Sequence, residues 1–118
     1  MTHDMLLTAG PMERMVSGEK TIELRLNDEK RQVIQVGDSI RFYQTDDMSK
    51  TLLTKVLALH YFPNFAELYQ HLPLKKCGYT DQNIVTAKPE DMDVYYSPER
   101  QKLYGVVGIE LEVIDNIF

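Results

Sequence analysis

The sequence predicts an α+β chain, mainly β, folded as a small β-barrel with short helices inserted between its strands. Three observations support this. Stretches that alternate apolar and polar residues outnumber stretches with helical period. The helical stretches are short and end at glycine or proline. No regular strand–helix–strand alternation runs through the chain, as a doubly wound parallel sheet would require. At 118 residues, 43% hydrophobic and 26% charged, the whole chain (residues 1–118) reads as a single domain that buries a core without disulfide or metal staples. It shows no internal repeat, low-complexity stretch or linker that would divide it.

Met5 to Leu7 is a short apolar strand, and Gly10-Pro11 punctuates the chain before a helix. In that helix Met12, Met15 and Val16 fall on one face, and Gly18 stands where a left-handed cap ends it. From Thr21 to Leu26 the residues alternate. Ile22, Leu24 and Leu26 face a core; Thr21, Glu23 and Arg25 face away from it. One helical turn then leads through Val33, Ile34 and Val36 into a Gly37-Asp38 turn, followed by a strand from Ser39 to Tyr43 with Ile40 and Phe42 inward.

"TDDMSK" reads as a loop. "TLLTKVLALHYF" reads as a central strand, apolar on both sides near its middle. Asn64, three residues before Glu67, starts a helix whose face carries Phe65, Leu68, Tyr69 and Leu72, and Pro73 stops it. Residues 74–96 have no sustained period and are expected to be loop and short helix. Ser97 as cap, Pro98 as first helical residue and Gly105 past the end define another short helix. A strand with Val107, Ile109, Leu111 and Val113 on one face follows it.

Composition narrows the functional classes. Thirteen Lys and Arg against eighteen Asp and Glu give a formal net charge of -5, the wrong sign for coating duplex phosphates; only a local basic patch is open to it. The single Cys77, with no recognisable leader, points to a reducing, cytoplasmic location, and no apolar run reaches the roughly 18 residues that span a bilayer. His3, His60, His71 and Cys77 lack metal-site spacing, so no metal is expected; His60, beside Tyr61 and Phe62, is kept as a cleft candidate. No phosphate-cradling loop or dinucleotide fingerprint occurs, and no cofactor is expected.

The constellation with most chemistry is Lys20, Glu23 and Arg25. A solvated face bearing a surface ion pair accounts for it, and so does a cleft for a polar ligand. In a cleft, an apposed lysine and carboxylate shift each other's proton affinity, while arginine offers a planar fork to a phosphate, carboxylate or base edge. Tyr95, Tyr96 and Tyr104 are candidates for stacking an unpaired base, though core packing explains them as well. Lys75-Lys76 and the Arg100 to Lys102 pair read as solvated surface.

The pattern Gly18-x-Lys20-x-x-Glu23-x-Arg25, then Gly37-Asp38-x-Ile40-x-Phe42, with the segment "YYSPERQKLYGVVGIEL" from Tyr95 to Leu111, resembles the ASCH domain of the PUA-like superfamily. The likeness runs from about residue 5 to residue 113 and is nearest to the small prokaryotic stand-alone type. It implies a PUA-like barrel with a cleft where the Gly-x-Lys segment and its strand meet the helix-bearing loops. For the family, RNA binding is the usual suggestion. Some small members are amidohydrolases of N4-acylated cytidines that use a lysine, a threonine and a glutamate, and others are linked to ribonuclease activity.

By that resemblance Lys20 and Arg25 match family residues. The nucleophile position three after the lysine is Glu23 rather than threonine, and Thr21 stands only one residue after the lysine, so it should point elsewhere; Glu67 is a candidate for the family glutamate by location alone. The resemblance therefore implies an RNA- or modified-nucleoside-binding domain with Lys20, Glu23, Arg25 and Tyr96 at its site. The alternative is a metal-independent amidohydrolase with Lys20 and Glu23 as catalytic residues, Glu23 acting as acid or base on water. A protein-interaction module is the third reading. Whether the chain is an enzyme stays open at this level.

Overall fold

The computed structural model describes residues 1–117. In chain order it contains β1 (Thr2–Leu7), α1 (Ala9–Ser17), β2 (Ile22–Leu26), α2 (Glu29–Gln32), β3 (Ser39–Gln44), β4 (Asp47–Phe62), α3 (Phe65–His71), α4 (Pro98–Tyr104) and β5 (Val106–Ile117). Three 3-10 turns, Leu74–Cys77, Ile84–Thr86 and Pro89–Val94, fill the stretch between α3 and α4. The strands form one mixed sheet in the order β1-β3-β4-β5-β2, curled into a half-barrel. β1 runs parallel to β3, and every other pair is antiparallel. The fold is mainly β with short inserted helices, as the sequence predicts.

The helix ends follow the sequence closely. Gly18 adopts φ +84° and its N–H bonds the Met15 carbonyl, closing α1. The Asn64 side chain accepts from the Glu67 amide, and the Ser97 hydroxyl accepts from the Arg100 amide with Pro98 in the first turn. On α1, Met12 and Met15 are buried while Val16 stays at the rim.

Two departures concern β4. "TDDMSK" is not a loop: the chain turns at Thr45-Asp46, and β4 already begins at Asp47 opposite Gln44. The central strand is also not covered on both faces. Its register against β5 shifts between Leu53 and Thr54 and again between Val56 and Ala58, so Leu57 is squeezed out of the ladder and lies exposed. Such bulges add twist and bend, and here they help curl the sheet.

The sheet separates two apolar clusters. Inside the half-barrel, Met5, Leu7, Ile40, Phe42, Leu52, Val56, Val107, Ile109 and Leu111 pack with Met12 and Met15 of α1 and with Ile34. On the other face, Ile22, Leu24, Leu26 and Val106 pack under Phe65 and Leu68 of α3 and against Cys77. Complete burial of one such large apolar side chain contributes about 1.5–3 kcal/mol. Gly108 keeps α3 close: a Cβ there would meet Leu72 Cδ1 at 2.6 Å.

The strands β1 and β2 are the two edges of the sheet, and a side chain spans the gap between them. An Arg25 Nη2 donates to the Leu6 carbonyl of β1 at 2.7 Å. This open seam is where the cleft forms.

Candidate functional site: a polar cleft in the seam of the half-barrel

In register, Glu23 lies opposite Ile109 and Arg25 opposite Val107. Paired residues of an antiparallel ladder project to the same face. Glu23 and Arg25 therefore point into the interior of the half-barrel, on the face that β5 lines with aliphatic residues. The sequence assigns Ile22, Leu24 and Leu26 to a core, and they occupy the second one, beneath α3. Both faces of β2 are consequently buried.

Lys20 precedes β2, and its backbone N–H bonds the Arg14 carbonyl. This turn brings its side chain round to Glu23, with Lys20 Nζ at 2.9 Å from Glu23 Oε1. Arg25 grips the other oxygen, with Nε and Nη2 each at 2.7 Å from Glu23 Oε2. Lys20 also donates to the Cys77 carbonyl at 3.2 Å. Lys20 is 8% exposed and Glu23 4%, so this is a buried cation–anion–cation triad and not a solvated face. Burial would raise the Glu23 carboxyl, but Lys20 and Arg25 outweigh it and hold the group below its ordinary value. Burial likewise disfavours the Arg25 cation, and Glu23 more than compensates.

The triad forms part of the wall of a cleft of about 470 Å³. One side comes from the end of β1 and from α1, through Leu6 to Thr8, Pro11 and Arg14. The opposite side comes from the 3-10 stretch, which wraps past β2 and is tied to it by the Thr21 amide on the Lys76 carbonyl. Gly78, at φ +116°, sits directly against Lys20; a Cβ there would lie 3.4 Å from Nζ and would also strain the backbone.

That stretch carries cleft residues absent from the sequence reading. The Tyr79 hydroxyl donates to Asp91 Oδ2 at 2.7 Å and meets the Tyr69 hydroxyl at 2.7 Å. A phenol has one proton to give, so Tyr69 donates to Tyr79 and Tyr79 to Asp91. Burial, with these two bonds, pushes the Tyr79 hydroxyl well above its ordinary value, while the bonds from Tyr79 and the Lys88 amide lower Asp91. The chain of bonds fixes the wall. Cys77 is buried and packs in the second apolar cluster, and its thiol is pushed up to about 11, first by burial, which disfavours the thiolate.

Tyr95 and Tyr96 both line the cleft. Tyr96 is half-buried, stacked on Phe65 with centroids 6.3 Å apart; Tyr95 is 71% exposed and presents the freer ring. The remaining sequence candidates lie elsewhere. His60 pairs with Glu110 at 3.1 Å on the outer face, because its position opposite Gly108 turns it away from the seam. Glu67 sits on α3 with its amide capped by Asn64, and Tyr104 bonds Glu29; neither lines the cleft. Thr21 lines a separate hollow beside Thr54 and Leu57. Lys75 pairs with Asp81, and Arg100 lies over the Tyr104 ring. Among the described residues no cluster of three or more His, Cys, Asp or Glu side chains is arranged to hold a metal ion, and no helix is long and apolar enough to cross a membrane.

The chain superposes on solved structures over 97% or more of its length. The crystal structure of the hypothetical protein PH0355 aligns with a TM-score of 0.80 at 32% identity, over 97% of this chain and 100% of that one. The solution structure of protein PF0455 from Pyrococcus furiosus aligns with a TM-score of 0.69 at 29% identity, covering 98% and 99% of the two chains. The ASCH protein of Zymomonas mobilis shares the fold at 15% identity, with a TM-score of 0.67 over 98% of this chain and 72% of that one. No curated protein matches the sequence significantly. The family model of the ASCH domain, however, matches residues 5–115, a span that holds the end of β1, all of β2 and every residue of the cleft. The chain belongs to the ASCH domain family.

Proposed function

We propose that the cleft binds a single unpaired nucleoside, either a modified nucleoside or one residue of an RNA strand. The observation that carries this reading is the buried Lys20–Glu23–Arg25 triad in the wall of a cleft that also holds the exposed Tyr95 ring. A base edge is read by fixed donors and acceptors, and a base plane is held by an aromatic face. Lys20 and Arg25, held in place by Glu23, supply the N–H donors that Glu23 does not occupy, and Tyr95 supplies the face. The cleft volume is within the range of small-molecule sites and suits one nucleoside, not a duplex. The net charge of -5 also disfavours broad phosphate contact. RNA binding is the activity proposed for the ASCH family.

Hydrolysis of a nucleoside amide is the second reading. Lys20 and Glu23 in contact at 2.9 Å support it. Three facts weigh against it. The carboxylate is held below its ordinary value, both its oxygens are engaged by cations, and Thr21 lies outside the cleft. A base with lowered proton affinity is a poor acceptor for the proton of an attacking water.

One set of titrations tests the ranking. Cytidine, N4-acetylcytidine, the other ribonucleosides and short single-stranded RNAs are titrated into wild type, Lys20→Ala and Tyr95→Ala, while cytidine release from N4-acetylcytidine is followed for these and for Glu23→Gln. Binding without turnover, weakened in both variants, is the expected result. Rapid release of cytidine that Lys20→Ala and Glu23→Gln abolish would place hydrolysis first. Absence of any nucleoside or RNA binding would leave the cleft to a different ligand.

A further inference from the structure

The nucleoside reading leaves open whether the ligand is neutral or charged, and Arg14 bears on that question. Arg14 projects from α1 and lines the same cleft as the triad. Its Nε is buried without a hydrogen-bond partner. Arg25, Arg31 and Arg100 each have a carboxylate oxygen within 4.0 Å; among the described residues Arg14 has none. Arg31 also buries its Nε unpartnered, but its fork is engaged by Asp28. A buried donor without an acceptor is costly, and a guanidinium is matched best by a bidentate oxyanion.

The charge balance of the cleft points the same way. Its charged lining residues are Arg14, Lys20 and Arg25 against Glu23 and Asp91. Glu23 is shared between Lys20 and Arg25, and Asp91 accepts from Tyr79 and the Lys88 amide. Arg14 is therefore the cleft cation with no local counter-charge, on a chain whose formal net charge is -5. Thr8 lines the cleft beside it, and its hydroxyl makes no capping bond to α1.

We propose that Arg14 is a phosphate-binding residue, so that the ligand of the cleft is a nucleotide and not a neutral nucleoside. The triad and the tyrosines then address the base, and Arg14 addresses the phosphate at the β1–α1 side of the seam. This rests on the nucleoside reading above and adds the ligand's charge to it.

The test is calorimetry at two salt concentrations with the four ribonucleosides, their 5′- and 3′-monophosphates and inorganic phosphate. The proteins are wild type, Arg14→Ala and Arg14→Lys, each checked for an unchanged thermal transition. The expected result is a monophosphate that binds at least about tenfold more tightly than its nucleoside, as a charge-assisted bidentate contact allows. Arg14→Ala should remove that difference by weakening the monophosphate far more than the nucleoside, and Arg14→Lys should keep part of it. If nucleosides bind and their monophosphates bind no more tightly, or if Arg14→Ala weakens both alike, the phosphate assignment fails and the nucleoside reading stands. Inorganic phosphate binding as tightly as the best monophosphate would also overturn it, by making Arg14 a free-anion site. If neither nucleosides nor monophosphates bind, both readings fail together. Should Arg14→Ala not fold, Arg14→Lys and the wild-type comparison of nucleoside with monophosphate decide the matter.

Discussion

The strands β5 and β2 are neighbours in one ladder and present residues to the same interior, yet they fill it in opposite ways. β5 contributes Val107, Ile109 and Leu111 to an apolar core; β2 contributes Glu23 and Arg25, opposite Ile109 and Val107. The difference is set by what lies beyond each strand. β5 has a strand on either side, whereas β2 is an edge, and across the open seam β1 offers a carbonyl that Arg25 takes. An apolar residue is sufficient where the sheet is continuous. At the seam, polar side chains satisfy one another and bridge the strands while leaving room for a ligand. The cleft exists because the barrel does not close.

The largest test of this contrast is Glu23→Ala. It would leave Lys20 and Arg25 buried without their shared anion, and removal of one partner from a buried ion pair costs about 3–5 kcal/mol. Chemical denaturation should show a loss of that order. A loss below about 1 kcal/mol, the level of an exposed pair, would return the triad to ordinary surface.

On the apolar side, Gly108→Ala should cost about 1–3 kcal/mol, because the added methyl meets Leu72 Cδ1 and Ile22 Cγ2 in a packed core and the Leu72 side chain must shift. Its effect on nucleoside affinity should be small, since Gly108 faces the second core and not the cleft. A variant that unfolds normally but loses ligand binding would mean that the two faces of the sheet are coupled.

Tyr95→Ala should do the reverse. Stacking contributes about 1–3 kcal/mol per base, so affinity should fall while the unfolding midpoint stays in place, as expected for a ring that is 71% exposed.

Acid titration should separate the seam from the far end of β1, where His3 meets Asp38, by smaller effects. The Glu23 carboxyl is lower in the folded chain than its ordinary 4.5, so its stabilisation is complete above that pH and is lost as the pH falls through the folded value. Asp38, bonded to His3 at 2.8 Å and to the Gln35 amide, is lowered from 3.8 to about 2, and its contribution is lost between those values. Thermal unfolding between pH 6 and 2 should show an acid limb that Glu23→Gln flattens from about pH 4.5 downward and Asp38→Asn flattens between 3.8 and about 2. Limbs unchanged by either substitution would remove both groups from the acid response.

The sequence carries the seam's polar side more clearly than its outer wall. Lys20, Glu23 and Arg25 are legible because strand alternation fixes the side of Glu23 and Arg25, and a glycine turn lets Lys20 join them. Tyr79 and Asp91 are not, because residues 74–96 fold as 3-10 turns that present no repeating face. Nor is Tyr69, because it belongs to a helix face of α3 that reads as core. Arg14 stands among charged residues of an amphipathic helix, and only the position of β1 beside it turns a solvated cation into a cleft residue. The Thr45-Asp46 turn was hidden for a different reason: it contains no glycine, and the strand after it opens with polar residues.

The pairing of Glu23 with Ile109, 86 positions further along, bears on how the protein is made. Closing a loop of that length has a large entropic cost, and sheets built from such distant pairings form slowly. During synthesis β2 must wait for β5, with its free edge exposed and its carboxylate not yet enclosed. The 3-10 stretch that carries Tyr79, Asp91 and Tyr95 is made in that interval, before β2 has its ladder. Assembly of the cleft should therefore coincide with docking of β5, and a chain truncated before Val106 should lack the formed cleft.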